Sequence, residues 1–275
     1  MRPGIFAKTF AGSDPRIVLD AVAGAGFAAT QYNMSCSGLA SMPEAIGAGT
    51  AAAIRDAAAE AGVEIVALSG TFNMIHPDPA VRHAGLRRLA ALAEAAPAIG
   101  TGLITLCTGT RDPDDQWRAH LDNATPEAWR DLTASMEAAI AIAEAADIAL
   151  GIEPERANVI SSAKAARRLI DEMASPRLRI VFDAANLVED LAPAAQHATI
   201  SRGLGLLADR LALVHAKDRC ADGSFATAGT GILDYGHYIG ELRRIGFDGA
   251  IVAHGLATAE APAVAQFLGR IIAAS

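Results

Sequence analysis

The chain has no long apolar run. Charge or glycine interrupts every apolar stretch well before the ~20 residues that a bilayer span requires, and the N-terminus MRPGIFAKTF has no signal-peptide pattern. A soluble, cytoplasmic protein is expected. Cysteine is scarce: Cys36, Cys107 and Cys220 are odd in number, far apart and in no CxxC pair. This argues against a disulfide framework and a thiolate zinc site and suggests a reducing compartment. Clustered basic charge is missing too. No Lys/Arg run exceeds the pairs Arg87-Arg88, Arg167-Arg168 and Arg243-Arg244, and the formal net charge is −8. A phosphate-backbone partner needs a concentrated cationic surface, so nucleic acid is not expected. The sequence after Phe10, AGSDP, is not GxGxxG, and no P-loop occurs. The ligand that fits is small and polar, and neutral or bridged by a metal.

What the chain does have is alternation. Of its 275 residues, 52% are hydrophobic and 20% charged, enough to bury a large core in a single domain spanning 1–275. Eight short apolar runs read as strands: 4–10, 27–34, 63–72, 102–109, 148–155, 179–187, 211–218 and 249–256. Ala-rich helical segments separate them, near 15–24, 43–61, 79–95, 126–146, 161–174, 192–208, 234–245 and 259–273. Pro15, Pro43, Pro79 and Pro126 stand near helix starts, Thr125 reads as an N-cap, and Gly26, Gly62, Gly100 and Gly246 stand where a helix hands over to a strand. Eight strand-helix units with strands apolar on both faces predict an α/β fold, a (β/α)8 TIM barrel, over an open doubly wound sheet.

In such a barrel the residues closing the strands at their carboxyl ends build the site. Strand five closes on Glu153 and Glu155, strand six on Asp183 and Asn186, strand seven on His215, Lys217 and Asp218, and strand eight on His254. Each alone has an ordinary explanation as a helix cap or surface pair. Glu153, Asp183 and His215, however, lie in or at the lip of apolar strands, where several buried charges without a cation are costly. Glu153, Asp183, His215 and His254 together form a metal-site constellation for one divalent ion.

The segments GIEPE, VFDAANL and LVHAKD at successive strand ends, with SGTFNMIHPD and IGFDGAIV, resemble the sugar phosphate isomerase/epimerase group with its xylose isomerase-like barrel, in the superfamily that includes the apurinic endonucleases. The resemblance covers essentially the whole chain. It implies a divalent metal, magnesium or manganese foremost, with cobalt or zinc as alternatives, held by Glu, Asp, His and Glu from strands five to eight. Glu153, Asp183 and His215 match the first three. His254 stands where the pattern has glutamate. The resemblance implies two metal-bound glutamates working on opposite faces of a sugar, and here only Glu153 remains. Three roles stay open for His254: fourth ligand, acid/base facing Glu153, or a packed histidine.

The expected activity is a metal-dependent isomerase or epimerase of a monosaccharide or polyol-derived ketone, using proton abstraction beside a polarised carbonyl. A dehydratase or lyase on the same substrates, a catalytically reduced sugar-binding barrel and an endonuclease-like hydrolase are the alternatives. On the substrate side, His76 either reaches over the metal or belongs to the start of the helix at Pro79. GTRDPDDQWRAHLDN is a long polar loop with Arg111 as an anion clamp and Trp117 as a stacking surface or rim anchor. Glu155, Asn186, Lys217 and Asp218 complete the expected substrate contacts. AGTGILD, 228–234, is the nearest approach to an anion cradle, though a plain turn explains it equally. The partner is expected to be a small carbohydrate-like molecule, neither nucleic acid nor membrane, with a homodimer left open.

Overall fold

A computed structural model describes residues 1–188 and 192–274. Eight parallel strands close into a barrel: β1 (Arg2–Phe6), β2 (Ala29–Tyr32), β3 (Glu64–Ser69), β4 (Leu103–Cys107), β5 (Ala149–Glu153), β6 (Leu178–Asp183), β7 (Leu211–Ala216) and, last in the ring, β10 (Ala250–Ala253). Between β7 and β10 a two-stranded antiparallel hairpin intervenes, β8 (Asp218–Arg219) with β9 (Phe225–Ala226). The ring runs β1-β10-β7-β6-β5-β4-β3-β2, so chain neighbours are ring neighbours throughout.

Two apolar layers result from strand alternation. Residues pointing outward, such as Ile5, Leu68, Ile104, Ile152, Phe182 and Val214, pack under the helices. Inward-pointing Ala29, Ala67, Leu103, Val181, Leu213, Ala250 and Val252 form a separate cluster inside the barrel. Two residues further along each strand the inward positions become polar: Gln31, Ser69, Thr105, Glu153, Asp183, His215 and His254. The dry plug of small side chains thereby floors a polar mouth.

Register finishes the placement. Between β6 and β7, Ile180 pairs with Leu211 but Val181 pairs with Leu213, so Ala212 is an extra residue. From there the ladder is regular and sets Asp183 beside His215. A second irregularity, between β2 and β3 at Thr30 and Gln31, lies next to another mouth residue. Bulges beside active sites re-aim side chains in this way.

Nine helices are described, α1 (Pro15–Gly24), α2 (Ala48–Ala61), α3 (Pro79–Ile99), α4 (Pro126–Ala145), α5 (Ala163–Met173), α6 (Ala184–Leu187), α7 (Pro193–Leu207), α8 (Tyr235–Arg244) and α9 (Ala261–Ala274). Pro15, Pro79 and Pro126 occupy first turns, with Asp14, Asp78 and Thr125 capping backbone N–H groups. Gly62 and Gly100 take left-handed conformations at helix ends.

Several boundaries differ from the sequence expectation. Pro43 does not start a helix, because α2 begins at Ala48 after a 3-10 turn and a loop. Strand six stops at Asp183, whose carboxylate accepts from Ala185 N–H at 2.9 Å and so opens the short α6 instead of extending the strand. Strand eight ends at Ala253, which leaves His254 on the emerging loop. No helix among the described residues is long and apolar enough to cross a membrane.

Candidate metal centre

Glu153, Asp183, His215 and His254 converge at the mouth, with one ligand atom from each lying within 4.8 Å of all the others. Asp183 Oδ2 is 3.1 Å from His254 Nε2, and Glu153 Oε1 is 3.2 Å from His215 Nδ1. Donors bonded to one ion at about 2.1 Å sit about 3.0–3.4 Å apart in octahedral or tetrahedral arrangements, so both separations match.

The protonation of His215 follows from its neighbours. Gln31 Nε2 donates to Ser69 Oγ and Thr105 Oγ1, each at 2.9 Å, which turns Oε1 of the same amide toward His215 Nε2, also at 2.9 Å. Nε2 therefore carries the proton, and the lone pair lies on Nδ1. That nitrogen is buried and has no hydrogen-bond partner among the described residues. Its 3.2 Å approach to Glu153 lacks hydrogen-bond geometry. A buried imidazole lone pair facing carboxylates fits a cation, and Gln31 supplies the outer hydrogen bond that ligating histidines generally make.

Electrostatics favour the ligating forms. Burial pushes Asp183 upward, but the Lys217 charge and the His254 hydrogen bond outweigh it and hold the carboxyl well below its ordinary range. Burial opposes ionisation of Glu153 as well, and positive charge on His215 or on an ion in its place offsets it. Burial lowers His254 despite its bond to Asp183, so the imidazole is neutral near pH 7. Phe6 stacks on His254 at 4.8 Å between ring centroids and meets His215 edge-on at 5.1 Å. The apolar ring fixes both imidazoles and covers one side of the cluster.

The cluster opens into a cavity of about 900 Å³. Of the substrate residues expected from sequence, Trp117, Glu155, Asn186 and Lys217 line it. Asn186 bridges the site by donating to Glu153 Oε1 at 2.8 Å and accepting from Lys217 Nζ at 2.7 Å. Burial, with the neighbouring Glu153 charge, pushes Glu155 up to about 8, so its carboxyl is neutral at pH 7. Trp117 is half exposed at the rim.

Three expected residues are not brought to this cavity. His76 accepts from Asp78 N–H through Nδ1 at 3.0 Å and donates from Nε2 to Pro113 O at 3.1 Å, which makes it a fully bonded feature of the approach to α3. Arg111 pairs with Asp131 at 2.7 Å and donates to Ile75 O, bracing the loop rather than clamping an anion. Asp218 is buried and accepts from the N–H groups of Arg219, Gly229, Gly231 and Leu233. The glycine turn at 228–234 does cradle an anion, but that anion is the chain's own Asp218. A side chain at Gly231 would run into Arg219 O and the Asp218 carboxylate, so glycine there serves this internal bond.

Gln31, Phe6, Lys8, Arg156 and Arg219 reach the site without having been singled out in the sequence. Gln31 had a legible signal, a polar residue two positions after Ala29 on an apolar strand. The cations had none, since their approach depends on loop paths.

These features define a parallel barrel with a mixed carboxylate-imidazole centre at its carboxyl end. The xylose isomerase-like TIM barrel family model matches residues 19–267, and the chain belongs to that family. Solved structures of similar fold include a 3-keto-D-glucoside 4-epimerase from E. coli, with a TM-score of 0.76, 18% identity and 98% coverage of both chains. Another is a D-psicose 3-epimerase from Clostridium cellulolyticum, at 0.74, 16% identity and 99% of both. A third, a probable 3-DHS dehydratase from Bacillus anthracis, gives 0.76 and 14% identity over 98% of this chain and 99% of the other. No curated protein matches by sequence.

Proposed function

We propose that the chain is a divalent-metal-dependent isomerase or epimerase of a small polyhydroxy ketone, with magnesium or manganese as the ion. The observation that carries this reading is the unpartnered, buried Nδ1 of His215 within a four-residue ligand set at the floor of an open cavity. Glu153, Asp183, His215 and His254 would hold the ion. Once bound, it supplies a Lewis acid that polarises the substrate carbonyl and acidifies the adjacent C–H.

The protein's own groups do the rest. Glu153 is the base, its Oε1 held by Asn186, and it removes the proton and returns it to the neighbouring carbon. Glu155, neutral near pH 7, donates a hydrogen bond toward oxygen as negative charge develops there. Lys217, 3.4 Å from Asp183 and bonded to Asn186, adds positive charge beside the same oxygens. Trp117 offers its ring to an apolar sugar face.

A second reading, dehydration on the same substrate class, is favoured by one observation: His254 replaces a carboxylate, and an imidazole can pass a proton to a departing hydroxyl. One experiment addresses both. Protein supplied with manganese is incubated with a ketose panel in deuterated water and the sugars are analysed by mass spectrometry. Deuterium gain at unchanged composition is the expected outcome; loss of water selects the second reading; binding without either leaves a sugar-binding barrel. In parallel, Glu153→Ala should hold far less metal than wild type, and equally low metal in both would sink the site.

A further inference from the structure

The cavity above the cluster is basic although the chain as a whole is acidic. Among the described residues, Lys8, Arg156, Lys217 and Arg219 line it, against Glu153 and Glu155. The ring order places β10 between β1 and β7; Lys8 follows β1, and Arg219 follows β7 with its guanidinium reaching toward Ala185 after β6. Elsewhere arginines such as Arg16, Arg88, Arg118, Arg167 and Arg177 are paired with carboxylates. Among the described residues, Lys8 and Arg219 have no ion-pair partner.

Arg219 is also held rigidly. Its Nε donates to Ala185 O at 2.7 Å, its Nη1 donates to Gly223 O at 2.6 Å, and the guanidinium lies 4.2 Å from the Phe225 ring centre. Nη2 has no hydrogen-bond partner among the described residues. Two backbone carbonyls thus fix a planar cationic fork at the mouth without neutralising it, an arrangement that favours an anion and loses little side-chain entropy on binding it.

The kind of anion follows from what the backbone has left. Phosphate is generally cradled by successive N–H groups at a glycine-rich turn. Here the Gly229 and Gly231 N–H groups are spent on Asp218. We propose that the substrate is a keto acid, whose carboxylate is held by Arg219 and Lys8 while its hydroxyketone end meets the Glu153-Asp183-His215-His254 cluster. The assignment deepens the isomerase reading and rests on it for the reacting end.

The test uses three ketoses of one carbon skeleton, D-fructose, D-fructuronate and D-fructose 6-phosphate, with manganese-loaded protein in deuterated water. Fructuronate should exchange with kcat/KM at least tenfold above fructose, and the preference should shrink as ionic strength rises. Arg219→Gln should remove the preference by raising KM for fructuronate at unchanged kcat. Lys8→Met, on an exposed residue, should act in the same direction without touching the hairpin. Exchange of fructose and fructuronate at equal efficiency overturns the proposal and leaves the isomerase reading standing. A higher efficiency for fructose 6-phosphate replaces carboxylate by phosphate and likewise overturns it. If no ketose exchanges, Trp117 fluorescence in a Trp129→Phe background is titrated with fructuronate. Binding that Arg219→Gln weakens tenfold retains the carboxylate site and sinks the reaction; no binding sinks both.

Discussion

Asp183→Asn is expected to empty the metal centre while leaving the barrel folded. The side chain is fully buried, so its environment cannot relax toward water. Asparagine keeps the volume and can still cap α6 through Ala185 N–H, the 2.9 Å bond made by the wild-type carboxylate. What disappears is the negative charge that Lys217 at 3.4 Å and His254 at 3.1 Å now share. Removing an outer hydrogen bond from a metal site costs 10- to 100-fold in affinity as a rule, and a direct charged ligand exceeds that, so a loss above about 100-fold is expected. Without the ion's several kcal/mol of charge stabilisation, proton exchange should fall by about 10³-fold or more. Calorimetric manganese titration and the deuterium assay read these separately. Wild-type affinity in the variant would remove Asp183 from the ligand set.

His254→Glu is expected to keep the ion and change the stereochemical outcome. A carboxylate there faces the mouth three places from Glu153 around the ring, because β7 and β6 separate β10 from β5. Reprotonation then has an acceptor and donor on each side, so the variant should form both epimers at the exchanging carbon and the wild type should form one. Metal affinity at pH 7 should stay within about tenfold, since carboxylate and imidazole are both good ligands for these ions. The pH response should differ in a defined direction. Burial already lowers the pKa of His254 below its ordinary value of 6.5. As pH falls through that ordinary value, the unfolded chain gains a proton that the folded site resists, and the ion opposes protonation further. Wild-type folding stability should therefore fall with acidification through this range, a loss that His254→Glu does not share and that thermal midpoints against pH would read. His254→Ala, which removes any ligand, should lower affinity at least about 100-fold. Unchanged binding in that variant would assign His254 to packing against Phe6.

The strand-helix alternation and the four clustered side chains were legible because burial imposes period two on strands and because charged residues stand out against Ile, Val and Leu. The alternation does not reveal where a strand stops when its last side chain caps a helix, as Asp183 does, nor that a loop intervenes before α2. Asp218 illustrates the deeper limit. A carboxylate after a strand looks the same in sequence whether it faces a ligand or gathers four N–H groups of its own loop. His76 and Arg111 illustrate a related limit, because each is bonded from a distant segment, His76 by Pro113 and Arg111 by Ile75 and Asp131. Gln31 shows the converse. Its polarity inside an apolar strand was visible, but its role depends on a histidine 184 positions later.

The extra residue in β7 has a consequence for changes in chain length. Deleting Ala212 would join Leu211 to Leu213 in an uninterrupted ladder and leave Asp183 opposite His215. Deleting Val214, two positions on, would turn the imidazole toward the helices and bring an apolar residue to the four-residue cluster. Tolerance of a one-residue deletion thus reverses within half a turn of the barrel wall, and the chemistry of the mouth is a matter of odd and even positions as much as of residue type.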